Sequence, residues 1–250
     1  MLHRVRHQTI LALALATVAA ACGSDSSTGP NVQPVTLDQA LAELSTPALS
    51  ATAASFDAST PTLPALAASR CAYHASSQSF ACTPIVANGV TVTQSFTLLD
   101  GSGAAQSAFD QATTSAVRAN TSVAGTFQDG AEQFTVDGQQ ELTLSGLREA
   151  IHTLDGTSTV HVASTGGSGL PFETTITTTI TGLKLQPPTA DGTHPWPKAG
   201  TIVVENSAAP VAFRATITFN GTSKVLVTIT GPGVSGTCTL DLASQAPSCN

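Results

Sequence analysis

Charge is scarce in this chain. Only 10% of its 250 residues are Asp, Glu, Lys or Arg, less than half of the roughly 25% usual in globular domains. A solvated disordered chain carries more charge and fewer apolar residues than the 41% found here. Basic residues are the scarcer sign. Nine against sixteen acidic residues leave a formal charge of −7, which excludes a phosphate-gathering surface and nucleic acid as a partner. Aromatics make up 4%, with one Trp and one Tyr, and apolar ligand cavities are commonly lined with them. Lys, Glu and Leu are too few for a helical bundle. What the chain has instead is threonine, 38 of them, together with many valines. Both residue types favour strands.

Long apolar runs are also missing, with one short exception. His3, Arg4, Arg6 and His7 precede Ile10 to Ala21, ILALALATVAAA, which ends in small residues before Cys22. A membrane-spanning helix needs ~20 apolar residues, so this run is too short to span. A basic start, a short apolar stretch and a small-residue site describe a secretory signal. Ala19-Ala20-Ala21-Cys22 resembles the lipobox of bacterial lipoproteins. The resemblance covers the leader alone. It implies that Cys22 is acylated and becomes the mature N-terminus. It also implies the outer membrane as destination, because Gly23 stands where Asp commonly signals inner-membrane retention. An ordinary signal-peptidase site at Ala19-x-Ala21 is the alternative reading.

Residues 1–21 therefore read as a signal peptide, 22–35 as the lipidated Cys and a flexible tether, and 36–250 as a single β-rich domain. The tether, Gly23-Ser24-Asp25-Ser26-Ser27-Thr28-Gly29-Pro30 and onward, spans about 20 Å as a coil. Loss of the leader removes two arginines and no acid, leaving seven basic against sixteen acidic residues, a charge of −9. An acidic domain stands off an anionic lipid surface.

One helix is expected near the start. Thr36-Leu37-Asp38-Gln39 fits a capping box, Leu37, Leu41 and Leu44 share a face, and Pro47 ends it. It reads as docked on the β core rather than as a partner-binding helix. Residues 46–69 are low-complexity Ala, Ser, Thr and Pro, expected to run along the surface.

From Cys71 onward, turn signals alternate with β-branched runs. Asn88-Gly89 predicts a two-residue type I′ turn pairing Ile85 with Val92 and Ala87 with Val90. At Asn220-Gly221 the apolar face instead favours a three-residue loop, with Gly221 left-handed, Ala215 opposite Val225 and Phe213 opposite Val227. Asp137-Gly138 and Asp155-Gly156 read as turns too. An odd-length loop at the first puts Phe134 on the face of Leu142. Further strands are expected at 174–185, 201–205 and 236–242. The Thr-rich run 174–181 reads as a strand with one wet side. Residues 101–120 read as a loop with a short helix around Phe109. Ten to twelve strands in short hairpins make an all-β fold: an antiparallel, hairpin-rich sandwich or partly closed barrel with one short N-terminal helix.

Five cysteines are an odd number for an exported protein. With Cys22 acylated, four remain. Cys71 and Cys82 are eleven apart, as are Cys238 and Cys249. A turn at Ser76-Ser77 puts Cys71 directly opposite Cys82 and Tyr73 opposite Phe80, within reach of a disulfide. The second pair pins the C-terminal tail to the last strand. Neither spacing is C-x-x-C, the pattern of metal or redox sites.

Chemistry-bearing residues are few. A hairpin turning at Asp155-Gly156 brings His152 diagonal to His161, near enough for two imidazoles to share a metal. Glu149 and Asp155 are the nearest acids, and two ligands alone make a weak site, so no metal or other cofactor is assigned. Trp196, in Asp191-Gly192-Thr193-His194-Pro195-Trp196-Pro197, reads either as a partner or sugar contact or as a cap on the open end of the core. Arg118, Arg148, Arg214 and Lys224 are scattered. Gly166-Gly167-Ser168-Gly169 is followed by Leu170, so it lacks the last Gly of a nucleophile elbow. No catalytic residue is nominated. The expected function is a lipid-anchored envelope β-domain: a non-enzymatic interaction or surface-structural module, periplasmic or surface-exposed, touching an envelope protein or glycan. The alternative is a periplasmic carrier of a small apolar ligand or lipid. A hydrolase-type enzyme ranks last.

Overall fold

The computed structural model describes residues 71–129, 132–165, 173–186, 195–207, 212–244 and 246–249. The leader, Cys22, the tether, the helix expected from Thr36, residues 46–69, the Gly166–Gly169 stretch and His194 lie outside the described residues.

Alternation of β-branched and polar residues builds the strands of the described residues. The strands are β1 (Cys71–His74), β2 (Ser79–Cys82), β3 (Ile85–Ala87), β4 (Val90–Asp100), β5 (Ala105–Gln106), β6 (Thr114–Asp129) and β7 (Glu132–Ser145). They continue as β8 (His152–Thr165), β9 (Glu173–Leu185), β10 (Ala199–Asn206), β11 (Phe213–Thr218), β12 (Lys224–Gly231), β13 (Val234–Asp241) and β14 (Ala246–Cys249). All fourteen join one antiparallel sheet in the order β1-β2-β4-β6-β7-β8-β9-β10-β11-β12-β13-β14, with β3 and β5 paired to β4. The sheet is open: β1 and β14 do not pair. The expected all-β, antiparallel, hairpin-rich class is what forms.

The Asn88-Gly89 turn forms as expected. Both residues have positive φ, 50° and 82°, the signature of type I′, and Ile85 faces Val92 while Ala87 faces Val90. Cys71 pairs with Cys82 and Tyr73 with Phe80. Cys238 pairs with Cys249. Both disulfides are closed, one between β1 and β2 and one between β13 and β14. Each therefore joins a terminal strand of the sheet to its inner neighbour.

Three expected turns differ. β7 runs straight through Asp137-Gly138 and β8 straight through Asp155-Gly156. Phe134 and Leu142 do share a face, but as residues eight apart on one strand. The uninterrupted series Phe134, Val136, Gly138, Gln140, Leu142, Leu144 is the reason, since alternation over a long stretch outranks a turn dipeptide. Gly138 suits its place for want of a side chain. A Cβ there meets Val123 Cγ1 at 3.0 Å and Val160 Cγ2 at 3.1 Å. At Asn220-Gly221 the loop is longer than three residues. Ala215 faces Ile229 and Ile217 faces Val227, because Phe219 turns into the core and Asn220 Oδ1 accepts from the Thr222 amide and hydroxyl. Gly221 does take the left-handed conformation, with φ +85°. Around Phe109 there is no helix, and Thr114 already begins β6.

β9 carries an extra residue against both neighbours: Leu183 and Ile180 face Leu154 and Gly156 on β8, and Lys184 and Thr181 face Ala199 and Thr201 on β10. This bulge, at Gly182 with φ +57°, reverses the inward parity from Thr174 and Ile180 to Leu183 and Leu185. Asp155 stabilises it by accepting the Gly182 N–H at 2.6 Å. That is the use of the Asp-Gly pair read as a turn.

Two apolar clusters occupy the inner face. The larger joins β7 to β13 through Leu154, Leu183, Ile202, Ile217, Val227, Leu240 and their neighbours. The smaller gathers Val90, Val92, Val123, Phe134, Val136 and Val162. Between them lies an in-register polar row, Gln94–Thr121–Gln140–Ser158–Thr178, all half-buried.

Candidate functional site

The outer face is polar because the strands alternate, and pairing register aligns its side chains into rows. One row is Ser95–Asn120–Glu141–Thr157, on β4, β6, β7 and β8. A second, two residues along each strand, is Thr93–Ser122–Gln139–Thr159. At one side the chain bulges between β2 and β3. Ala81 faces Ser95 and Ile85 faces Val92, so Cys82, Thr83 and Pro84 stand opposite only Thr93 and Gln94. Ala81, Cys82 and Pro84 line that side, and Asp137 and His161 line the far end. Together these residues bound a groove of about 690 Å³.

Thr93 Oγ1 and Ser122 Oγ share a 2.5 Å hydrogen bond on the groove floor. Arg118 Nε lies 3.8 Å from Glu141 Oε1. His161 Nδ1 hydrogen-bonds to Thr175 Oγ1 at 3.2 Å, and its Nε2 is 3.6 Å from Glu173 Oε1. Hydroxyls and amides both donate and accept, and carboxylates accept. The groove therefore offers mixed hydrogen-bonding capacity. Among the described residues its lining contains no Lys, Arg, Phe, Tyr or Trp.

His152 and His161 do not converge. They sit nine residues apart on the continuous strand β8, a separation of about 30 Å at strand rise, and on opposite faces. The weak metal pair rested on a hairpin at Asp155-Gly156 that does not form. Among the described residues, no group of three His, Cys, Asp or Glu could hold a metal.

His152 is buried at the start of β8, where it faces Leu185. Its Nδ1 has no hydrogen-bond partner among the described residues. Burial holds the imidazole below its ordinary pKa of 6.5, against an opposing pull from the Glu149 carboxylate. The unfolded chain thus takes up the proton more readily. The stability due to a neutral His152 is complete above about pH 6.5 and is lost as the pH falls toward the lowered folded value. Urea midpoints measured from pH 7.5 to 5 should decline for the native chain. They should decline less for His152→Gln, and an unchanged slope rejects the assignment.

Trp196 is half-buried and packs on the larger cluster beside the buried Pro197. The Pro197 carbonyl accepts the Gly221 N–H at 3.0 Å, fastening this segment to the β11–β12 loop. The tryptophan covers one end of the core. Arg214 pairs with Glu205 on the outer face. The groove itself escaped the sequence reading. Its signal is the polar series Asp137, Gln139, Glu141 together with Thr157, Thr159, His161, which alternates correctly once the two Asp-Gly turns are removed.

Comparison with known protein families, characterised proteins and solved structures finds no match for this chain.

Proposed function

We propose that this chain is an exported, lipid-anchored envelope β-domain that works by binding, as a non-enzymatic interaction module whose contact surface is the outer-face groove. The observation that carries the reading is the groove itself, about 690 Å³ and lined by hydroxyl, amide and carboxylate groups. That volume falls within the ~300–1,000 Å³ of small-ligand sites. Its hydroxyl, amide and carboxylate groups, flanked on one side by Ala81, Cys82 and Pro84, suit a hydrophilic contact better than a wholly apolar cargo. Its groups are strung along two rows, with a single imidazole at one end, which is the layout of a binding surface.

The anchor rests on Ala19-Ala20-Ala21-Cys22 behind the apolar run. Two disulfides accord with an oxidising compartment. With Cys22 acylated, residues 23–35 as a coil have an r.m.s. span of about 20 Å. Cys22→Ala is expected to abolish incorporation of labelled palmitate and move the protein from the membrane to the soluble fraction. Unchanged labelling and sedimentation overturn the anchor.

A further inference from the structure

We propose, building on the groove's role as contact surface, that its occupant is an uncharged N-acetylated glycan chain lying across β4, β6, β7 and β8. The groove lies in mid-sheet. The backbones of β6, β7 and β8 are paired on both sides, so an incoming peptide has no free edge there to extend. Protein contacts also centre on buried aromatic or aliphatic anchors seated in pockets. Among the described residues the lining holds no Phe, Tyr, Trp, Leu, Ile or Val, and its carbon surface comes from Ala81, Cys82, Pro84 and the stems of polar side chains. Among the described residues the lining has no Lys or Arg, and the guanidinium of Arg118 beside it is paired with Glu141. The net charge of −9 left by loss of the leader repels phosphate, sulfate or uronate groups.

A hydroxyl-covered chain fits what remains. It needs partners that donate and accept at short, regular intervals. Polar side chains recur at each strand, ~4.8 Å apart, in two rows ~7 Å apart. Asn120 and Gln139 stand on adjacent strands in different rows, where their amides match acetamido groups donor for acceptor and acceptor for donor. Glu141 and Asp137 add acceptors for sugar hydroxyls.

The probe is N-acetylchitotetraose, titrated into the full chain in detergent and followed by backbone amide NMR. Shifts should concentrate at residues 93–95, 120–122 and 139–141. Asn120→Ala combined with Gln139→Ala should weaken binding about tenfold, from two lost hydrogen bonds. Thr216→Ala, on β11, should leave it unchanged. No shift at 10 mM saccharide (roughly the weakest affinity worth calling a site), or equal affinity in the double variant, overturns the glycan. A photo-crosslinking residue at position 122 in intact cells separates this from failure of the underlying reading. Adducts trimmed by a glycan hydrolase support the glycan. Adducts trimmed only by protease reject it while keeping an interaction module. No adduct rejects both.

Discussion

Leu183→Ala is expected to lower the unfolding free energy by about 2–5 kcal/mol, the range for a large-to-small change in a core that relaxes incompletely. Leu183 has no exposed surface. It is the first inward residue after the β9 bulge, held there by the Gly182 backbone and by Asp155, and Gly200 of β10 closes against it. A Cβ at Gly200 meets the Leu183 Cα at 2.5 Å. The backbone on both sides is therefore fixed, and the site has little freedom to collapse onto the void. Thr216→Ala, on the outer face, should change stability by less than about 0.5 kcal/mol. Chemical denaturation of the two variants in parallel checks the contrast. A Leu183→Ala loss as small as that of Thr216→Ala rejects the bulge-centred core.

The second large effect concerns the cystines. Cys71→Ser with Cys82→Ser, and separately Cys238→Ser with Cys249→Ser, should each cost about 3 kcal/mol on the chain-entropy model. The two losses should add, since the pairs lie at opposite ends of the sheet order and share no partner. Each bond joins a four-residue terminal strand to its neighbour. A lone strand of that length has little else to hold it. Tyr73 against Phe80 and Phe80 stacked on Phe96 are the main side-chain contacts at the first edge. Non-reducing peptide mapping gives the connectivity and denaturant titration gives the cost. A Cys71–Cys249 peptide, or a quadruple variant as stable as the native chain, contradicts the assignment.

Much of this was legible from the residues because it depends on neighbours in sequence. Asn88-Gly89 specifies its own backbone geometry, and the register of β3 against β4 follows from it. The paired cysteines, eleven apart, each sit across one hairpin. Fold class follows from threonine and valine with few charges. What was misread has a common physical origin. Asp-Gly favours a turn only when nothing competes, and at 137–138 and 155–156 the competitor is an inward face that continues unbroken from Phe134 to Leu144 and from Leu154 to Val162. Gly138 sits where Val123 and Val160 crowd together, and Asp155 supports a bulge 27 residues downstream. Neither circumstance is visible locally. The Asn220 loop departs from the expected three residues because the burial of Phe219, which lengthens it, is a tertiary fact. The groove was hidden for the same reason. Its rows join Thr93, Ser122, Gln139 and Thr159, residues from four strands, and exist only once every intervening register is known.

Apart from the short strands β3 and β5, each strand is hydrogen-bonded to the one before it and the one after it in the chain. The architecture is thus nearly one-dimensional, closer to a stack of repeats than to a fold that must bring its ends together. Such an array has low contact order. Its pairings close short loops, which favours fast, stepwise growth by addition of the next hairpin. Its weak points are its two termini, as in any linear array, and repeat arrays meet that problem with dedicated capping units. Here the cystines fasten the first and last described pairs, so that the outermost of the described strands are held covalently where pairing on one side alone holds them least.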